Sequence, residues 1–107
     1  MRWFVLAVAM VGCIPPDEGD FPEVWARVNC DRQHECDKGQ FESSWEGMDD
    51  CRTQMADSAD AYMDAWDFFG GEYDRDNAGA CLSAMRSATC EEVSNSDFGG
   101  NCDDLYD

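Results

Sequence analysis

The chain has 107 residues and sets 24 acids against seven Lys and Arg, a formal charge of −17 at neutral pH. That balance excludes a general nucleic-acid binder, because neutralising phosphates needs clustered Lys and Arg, and it sets the exterior against anionic membrane surfaces. With 44% hydrophobic and 12% aromatic residues the chain is too apolar for wholesale disorder, yet long enough for one small domain only.

One cation, Arg2, precedes an unbroken apolar run from Trp3 to Val11. Those nine residues are about half of the ~20 that span a bilayer, so the run suits the short helix of an export signal rather than a permanent anchor. It leads into Met10-Val11-Gly12-Cys13, which resembles the lipobox of bacterial lipoprotein signals. The resemblance implies cleavage after Gly12, diacylation of Cys13 and acylation of the new N-terminus. Residues 1–12 are then a signal peptide, and the mature chain is held to a cell-envelope membrane by its N-terminal lipid. Several acyl chains give the stable anchoring that a single one does not. Ile14, standing where an Asp would retain the protein at the inner membrane, points to the outer membrane under the same resemblance.

Residues 13–20 read as the lipid-anchored tether. Pro15 and Pro16 favour an extended spacer, and the acids around them give nothing to bury. Residues 21–107 follow as a Cys-rich helical domain. Pro22 suits a first helical turn, and Phe21, Val24, Trp25 and Val28 recur at helical spacing, which predicts a first helix over 22–37 with Lys38-Gly39 as its stop. Ser43-Ser44-Trp45-Glu46 matches a capping box. Behind it Met48, Cys51, Met55, Ala59, Tyr62, Trp66 and Phe69 form an apolar stripe ended by Gly70-Gly71, so a second helix is expected over 45–69, with a break near Asp57-Ser58. Asp74 to Asn77 offer N-caps for a third helix whose face is Ala78, Cys81, Leu82, Met85 and Ala88, running to Val93. Ser94 to Asn101 is a loop, and residues 102–106 are expected to make one turn docking Leu105 and Tyr106. No stretch alternates with the period of a strand. The expected fold is all-α, a small disulfide-stapled bundle of about three helices.

With Cys13 given to lipid, six cysteines remain, an even set in an oxidising compartment. None forms C-x-x-C, so the spacing suits neither a zinc knuckle nor a thioredoxin-type motif. Six cysteines admit many connectivities. Cys90 and Cys102 bracket a loop and Cys36 and Cys51 bracket the first interhelical turn, which leaves Cys30 for Cys81. The expected pairs are Cys30–Cys81, Cys36–Cys51 and Cys90–Cys102.

Cys30-x5-Cys36, the lone Cys51, Ala80-Cys-Leu-Ser-Ala-Met85 and Cys90-x11-Cys102 together make residues 21–107 resemble the uncharacterised small Cys-rich lipoproteins of some Gram-negative bacteria. That resemblance implies a stapled helical domain and nothing catalytic.

Candidate chemistry is sparse. His34 lies among Asp31, Arg32 and Glu35, where a solvated surface histidine is expected, and paired cysteines leave it no thiolate. Asp74, Asp76 and Asn77 carry the oxygens calcium prefers, but Ala78 and Met85 stand where further ligands belong, so capping accounts for them. No metal or cofactor is expected. Tyr62, Trp66, Phe69 and Tyr73 are the candidate binding surface. The reading is a non-enzymatic, lipid-anchored envelope protein, an acidic structural or protein-binding module suited to a basic partner protein. The alternative is a small-ligand or cation-binding lipoprotein using the aromatic stripe and the acidic residues.

Overall fold

The computed structural model describes residues 14–98 and 102–106, so the signal segment and Cys13 lie outside the described residues. Helix α1, Phe21–Cys36, starts from a turn in which the Asp17 carbonyl accepts from the Asp20 and Phe21 N–H groups, both at 3.0 Å. Pro22 sits in its first turn, as expected. At Asp37 the backbone leaves the helix, and the Asp37 carboxylate then accepts from Gln40 N at 3.0 Å. Lys38-Gly39 therefore begins a short helix α2, Lys38–Ser44, instead of ending the first one.

Helix α3, Met48–Phe68, runs 21 residues without a break at Asp57-Ser58. The Ser43–Glu46 box does not open it. Ser43 turns back to the Gln40 carbonyl at 2.9 Å, and the Glu46 N–H is held by Asp50 Oδ2 at 3.0 Å. Gly70, at φ +82°, takes the left-handed position after the helix, letting Gly71 N–H reach the Trp66 carbonyl at 2.9 Å. Helix α4, Arg75–Ser87, is capped by Asp74 and buries Ala78, Cys81, Leu82 and Met85, the face read from sequence.

The expected third helix splits here. Ala88 and Thr89 are extended, and Thr89 and Glu92 form a reciprocal capping box that starts α5, Cys90–Asn95. Leu105 and Tyr106 dock as expected, though as extended chain. Tyr106 makes an antiparallel β-bridge to Tyr73, and the Leu105 carbonyl accepts from Asp74 N at 2.7 Å. The described residues thus form five helices and no strand beyond that bridge.

Helix α1 is the hub. Its most extensive packing is on α3, and it also meets α2, α4 and α5. One core cluster gathers Phe21, Val28, Met63, Leu82, Met85 and Tyr106, and a second surrounds Cys30, Phe41 and Cys51.

The disulfides are Cys30–Cys51, Cys36–Cys90 and Cys81–Cys102. None of the three expected pairs, Cys30–Cys81, Cys36–Cys51 or Cys90–Cys102, forms. The reason is angular. Six residues of helix rotate a side chain to roughly 120° from where it started, so Cys30 and Cys36 cannot face one neighbour. Cys30 faces the start of α3, while Cys36 faces α5. Cys81, on the core face of α4, then meets the returning C-terminal segment.

The tether is also not the free spacer expected. Pro15 lies against α4 so closely that a side chain added at Gly79 would meet its ring at 3.1 Å. Its carbonyl accepts from Arg75 Nε at 3.0 Å, and the Pro16 carbonyl accepts from Tyr73 OH at 2.9 Å. Residues 15–18 form a strap across the α3–α4 end.

Candidate functional site

A cleft of about 620 Å³ opens between α1, α3 and the C-terminal segment. One wall follows from the helix repeat. Phe21, Trp25, Asn29 and Gln33 stand four residues apart on α1 and all line it, a stripe roughly 18 Å long at the helical rise. Met55, Ala59 and Tyr62 of α3 form the facing wall, and Val93, Phe98 and Leu105 close the third side. The volume falls within the range of small-molecule sites, and the lining is mixed: apolar side chains alternate with Asn29, Gln33, Gln40, Ser58, Ser94 and Ser96.

Two of the polar residues, Gln33 and Asn29, form a directed chain that starts outside the cleft at Trp45. Trp45 Nε1 donates to Gln33 Oε1 at 3.2 Å, and Gln33 Nε2 donates to Asn29 Oδ1 at 2.5 Å. An indole nitrogen is a donor only, so Trp45 fixes which way both amides point. Asn29, 9% exposed, is left with its N–H groups for whatever occupies the cleft. The charged residues in the lining are Asp37 and Asp103, both exposed. The cleft is therefore neutral inside, with donors midway along it.

The aromatic surface expected from sequence is divided. Tyr62 lines the cleft. Trp66 stacks on Tyr106, centroids 5.9 Å apart and planes 4° from parallel. Tyr73 is half-buried, and Phe69 stands in solvent beside Phe68. The four fall on one line only if the helix continues, and Gly70 ends it first. Trp25, Asn29 and Gln33 were missed. Their signal was the continuation of an apolar stripe by two amides at the same four-residue step.

Elsewhere, burial pushes the Tyr73 phenol up to about 12, against the opposing pull of Arg75. Burial and the bond to Glu18 raise Tyr106 further, so both phenols stay donors at neutral pH. His34, expected in solvent, is half-buried with its ring edge-on to Phe41 at 5.1 Å. Asp74 caps Asn77 N, and Asn77 Nδ2 reaches the Asp104 carbonyl at 2.9 Å. Among the described residues no helix is long and apolar enough to cross a membrane, and no side-chain cluster is arranged to hold a metal.

A sequence model of the family of unknown function DUF6184 matches residues 30–103. The chain belongs to that family. The DUF6184 match opens at Cys30 and closes one residue past Cys102, so it encloses all three disulfides. The strap and the first half of α1 lie outside it. No curated protein and no solved structure matches the chain.

Proposed function

We propose that this DUF6184 protein is a non-enzymatic, lipid-anchored binding module of the bacterial cell envelope. Its ligand is an elongated, uncharged apolar molecule with a hydrogen-bond acceptor near its middle. The cleft carries this reading, through its row of apolar side chains, its lack of charge apart from Asp37 and Asp103, and the Asn29 donors. An acceptor there satisfies a polar group that would otherwise stay unpaired beside apolar surface. The anchoring rests on Met10-Val-Gly-Cys13 and on cysteines consumed in disulfides, which suits an oxidising compartment. Ile14, in place of an Asp after Cys13, favours the outer membrane. The acidic exterior supports a further role, attracting a basic partner protein while the cleft holds its ligand.

The test uses two probes of similar length, an alkyl ester with its ester group mid-chain and a fatty acid, read by tryptophan fluorescence and thermal midpoint. The neutral ester should bind and raise the midpoint. The ionised acid should bind more weakly, because Asp37 and Asp103 flank the cleft. Asn29→Leu should lose most of the affinity for the ester while keeping the fold. Equal binding of both probes, or no effect of Asn29→Leu, overturns the reading.

A further inference from the structure

The α3–α4 end of the molecule holds an apolar group that the cleft does not use. Phe68 is 84% and Phe69 81% exposed, and they pack edge-on to each other at 5.3 Å. Their position is set by the turn. Phe69 N–H is bound to the Ala65 carbonyl and Gly70 to that of Asp67, so the pair is presented by a capped helix end.

The N-terminal strap arrives at this same end. Glu18 accepts from the Tyr106 hydroxyl and lies beside Asp67, and Pro16 is held by Tyr73. From there the chain leads back to Ile14, 60% exposed, and to the 13 residues that precede it, with their apolar run and Cys13. Ile14, from which the chain enters the strap, and the most exposed aromatic pair among the described residues therefore share one end.

We propose that this end faces a lipid bilayer and that Phe68 and Phe69 enter its interfacial layer. Phe side chains on a protein surface gain by burying their apolar area at the boundary between headgroups and acyl chains. The acids at this end, Glu18 and Asp64 near Asp67, and Asp17 near Tyr73, restrict the lipid. Their charge is repelled by anionic headgroups, so the matching surface is zwitterionic. Acyl anchoring would orient this end, but the contact itself belongs to the folded domain and needs no acyl chain.

Flotation of the mature chain, residues 13–107 with Cys13→Ser, separates the two. With phosphatidylcholine vesicles this non-acylated chain should co-float, and Phe68→Ser/Phe69→Ser should reduce the bound fraction at least tenfold with an unchanged thermal midpoint. Adding phosphatidylglycerol should weaken binding. Brominated lipids should quench Trp66, which lies near the turn, more than Trp45. Failure of acylation at Cys13 would sink the anchoring reading while leaving this result standing. Three outcomes overturn the membrane contact. One is equal flotation of chain and variant, or none by either. Another is a Phe68/Phe69-dependent dimer without lipid, which assigns the pair to a second copy. The third is protection of the pair only in the uncleaved chain, which assigns it to the run Trp3–Val11.

Discussion

The Tyr106 hydroxyl donates to Glu18 Oε2 at 2.5 Å, joining residues 88 positions apart. Tyr106 is buried, bridged to Tyr73 and stacked under Trp66, so a single ring closes the strap, the C-terminal segment and the end of α3 together. Tyr106→Phe keeps the ring and removes the bond. It should cost about 1 kcal/mol, which in a domain of this size lowers the melting temperature by about 4–8 °C. Calorimetry checks it, and hydrogen exchange should rise in residues 15–18 but not in α2.

Asp67 gives this corner an unusual pH response. A hydrogen bond with the Glu18 side chain holds its carboxyl above the ordinary carboxylate range, and desolvation and the charges of Glu18 and Asp64 push the same way. A pKa raised in the folded state contributes stability that is complete below the unfolded value and is lost as pH rises through the folded one. Acid should thus tighten this contact, where a paired Asp usually loosens. Asp67→Asn supplies a permanent neutral donor. Thermal scans should place the variant above wild type near pH 7, with the gap narrowing toward pH 4. A gap that widens on acidification contradicts the assignment.

The three disulfides should not open together. Cys30, Cys51 and Cys81 are fully buried, whereas Cys36 is half-buried and Cys90 exposed. Mild reduction should therefore label Cys36 and Cys90 first, as read by alkylation and mass mapping. That bridge also closes the longest loop, 54 residues against 21 for each of the others. Taken singly, loop closure assigns it about 4 kcal/mol and the others roughly 3. The most accessible bridge is then the most stabilising, and its loss should lower the denaturation midpoint more than loss of Cys81–Cys102.

Thr89→Ala should fray α5. The capping box joins Thr89 Oγ1 to Glu92 N at 3.2 Å and Glu92 Oε1 to Thr89 N at 2.8 Å. Losing such a cap costs about 1 kcal/mol. Faster amide exchange in Cys90–Asn95, with α4 unchanged, is the expected readout.

That box shows how much of the fold was legible. Thr89-x-x-Glu92 was present in the sequence and so was Ser43-x-x-Glu46, but only the first is used. Local chemistry permits both. Asp37 and Phe41 decide the other case, by capping and burying a short helix that ends where the second box would begin. The core face of α4 was readable because Ala78, Cys81, Leu82 and Met85 need only helical periodicity. In α3 the periodicity was right in its first half, at Cys51 and Ala59, but Met63 is buried where Tyr62 and Trp66 were expected. The cleft was hidden because Asn29 and Gln33 count as polar until Trp45, twelve residues beyond Gln33, gives them a direction. The strap was hidden for a similar reason. Its partners, Tyr73, Arg75 and Tyr106, lie more than fifty residues away.

Every half-cystine among the described residues lies beyond Asn29, which decides how the molecule yields under load. A pull on the N-terminus first shears Pro15 and Pro16 from Arg75 and Tyr73, and then unwinds the start of α1. Extension is checked when tension reaches Cys30, whose bond to Cys51 passes force into α3. The 16 residues from Ile14 to Asn29 can pay out about 50–60 Å at full stretch. The cleft wall formed by Phe21, Trp25 and Asn29 lies within that length, so tension on the N-terminus would dismantle the site while the cross-linked remainder stays intact.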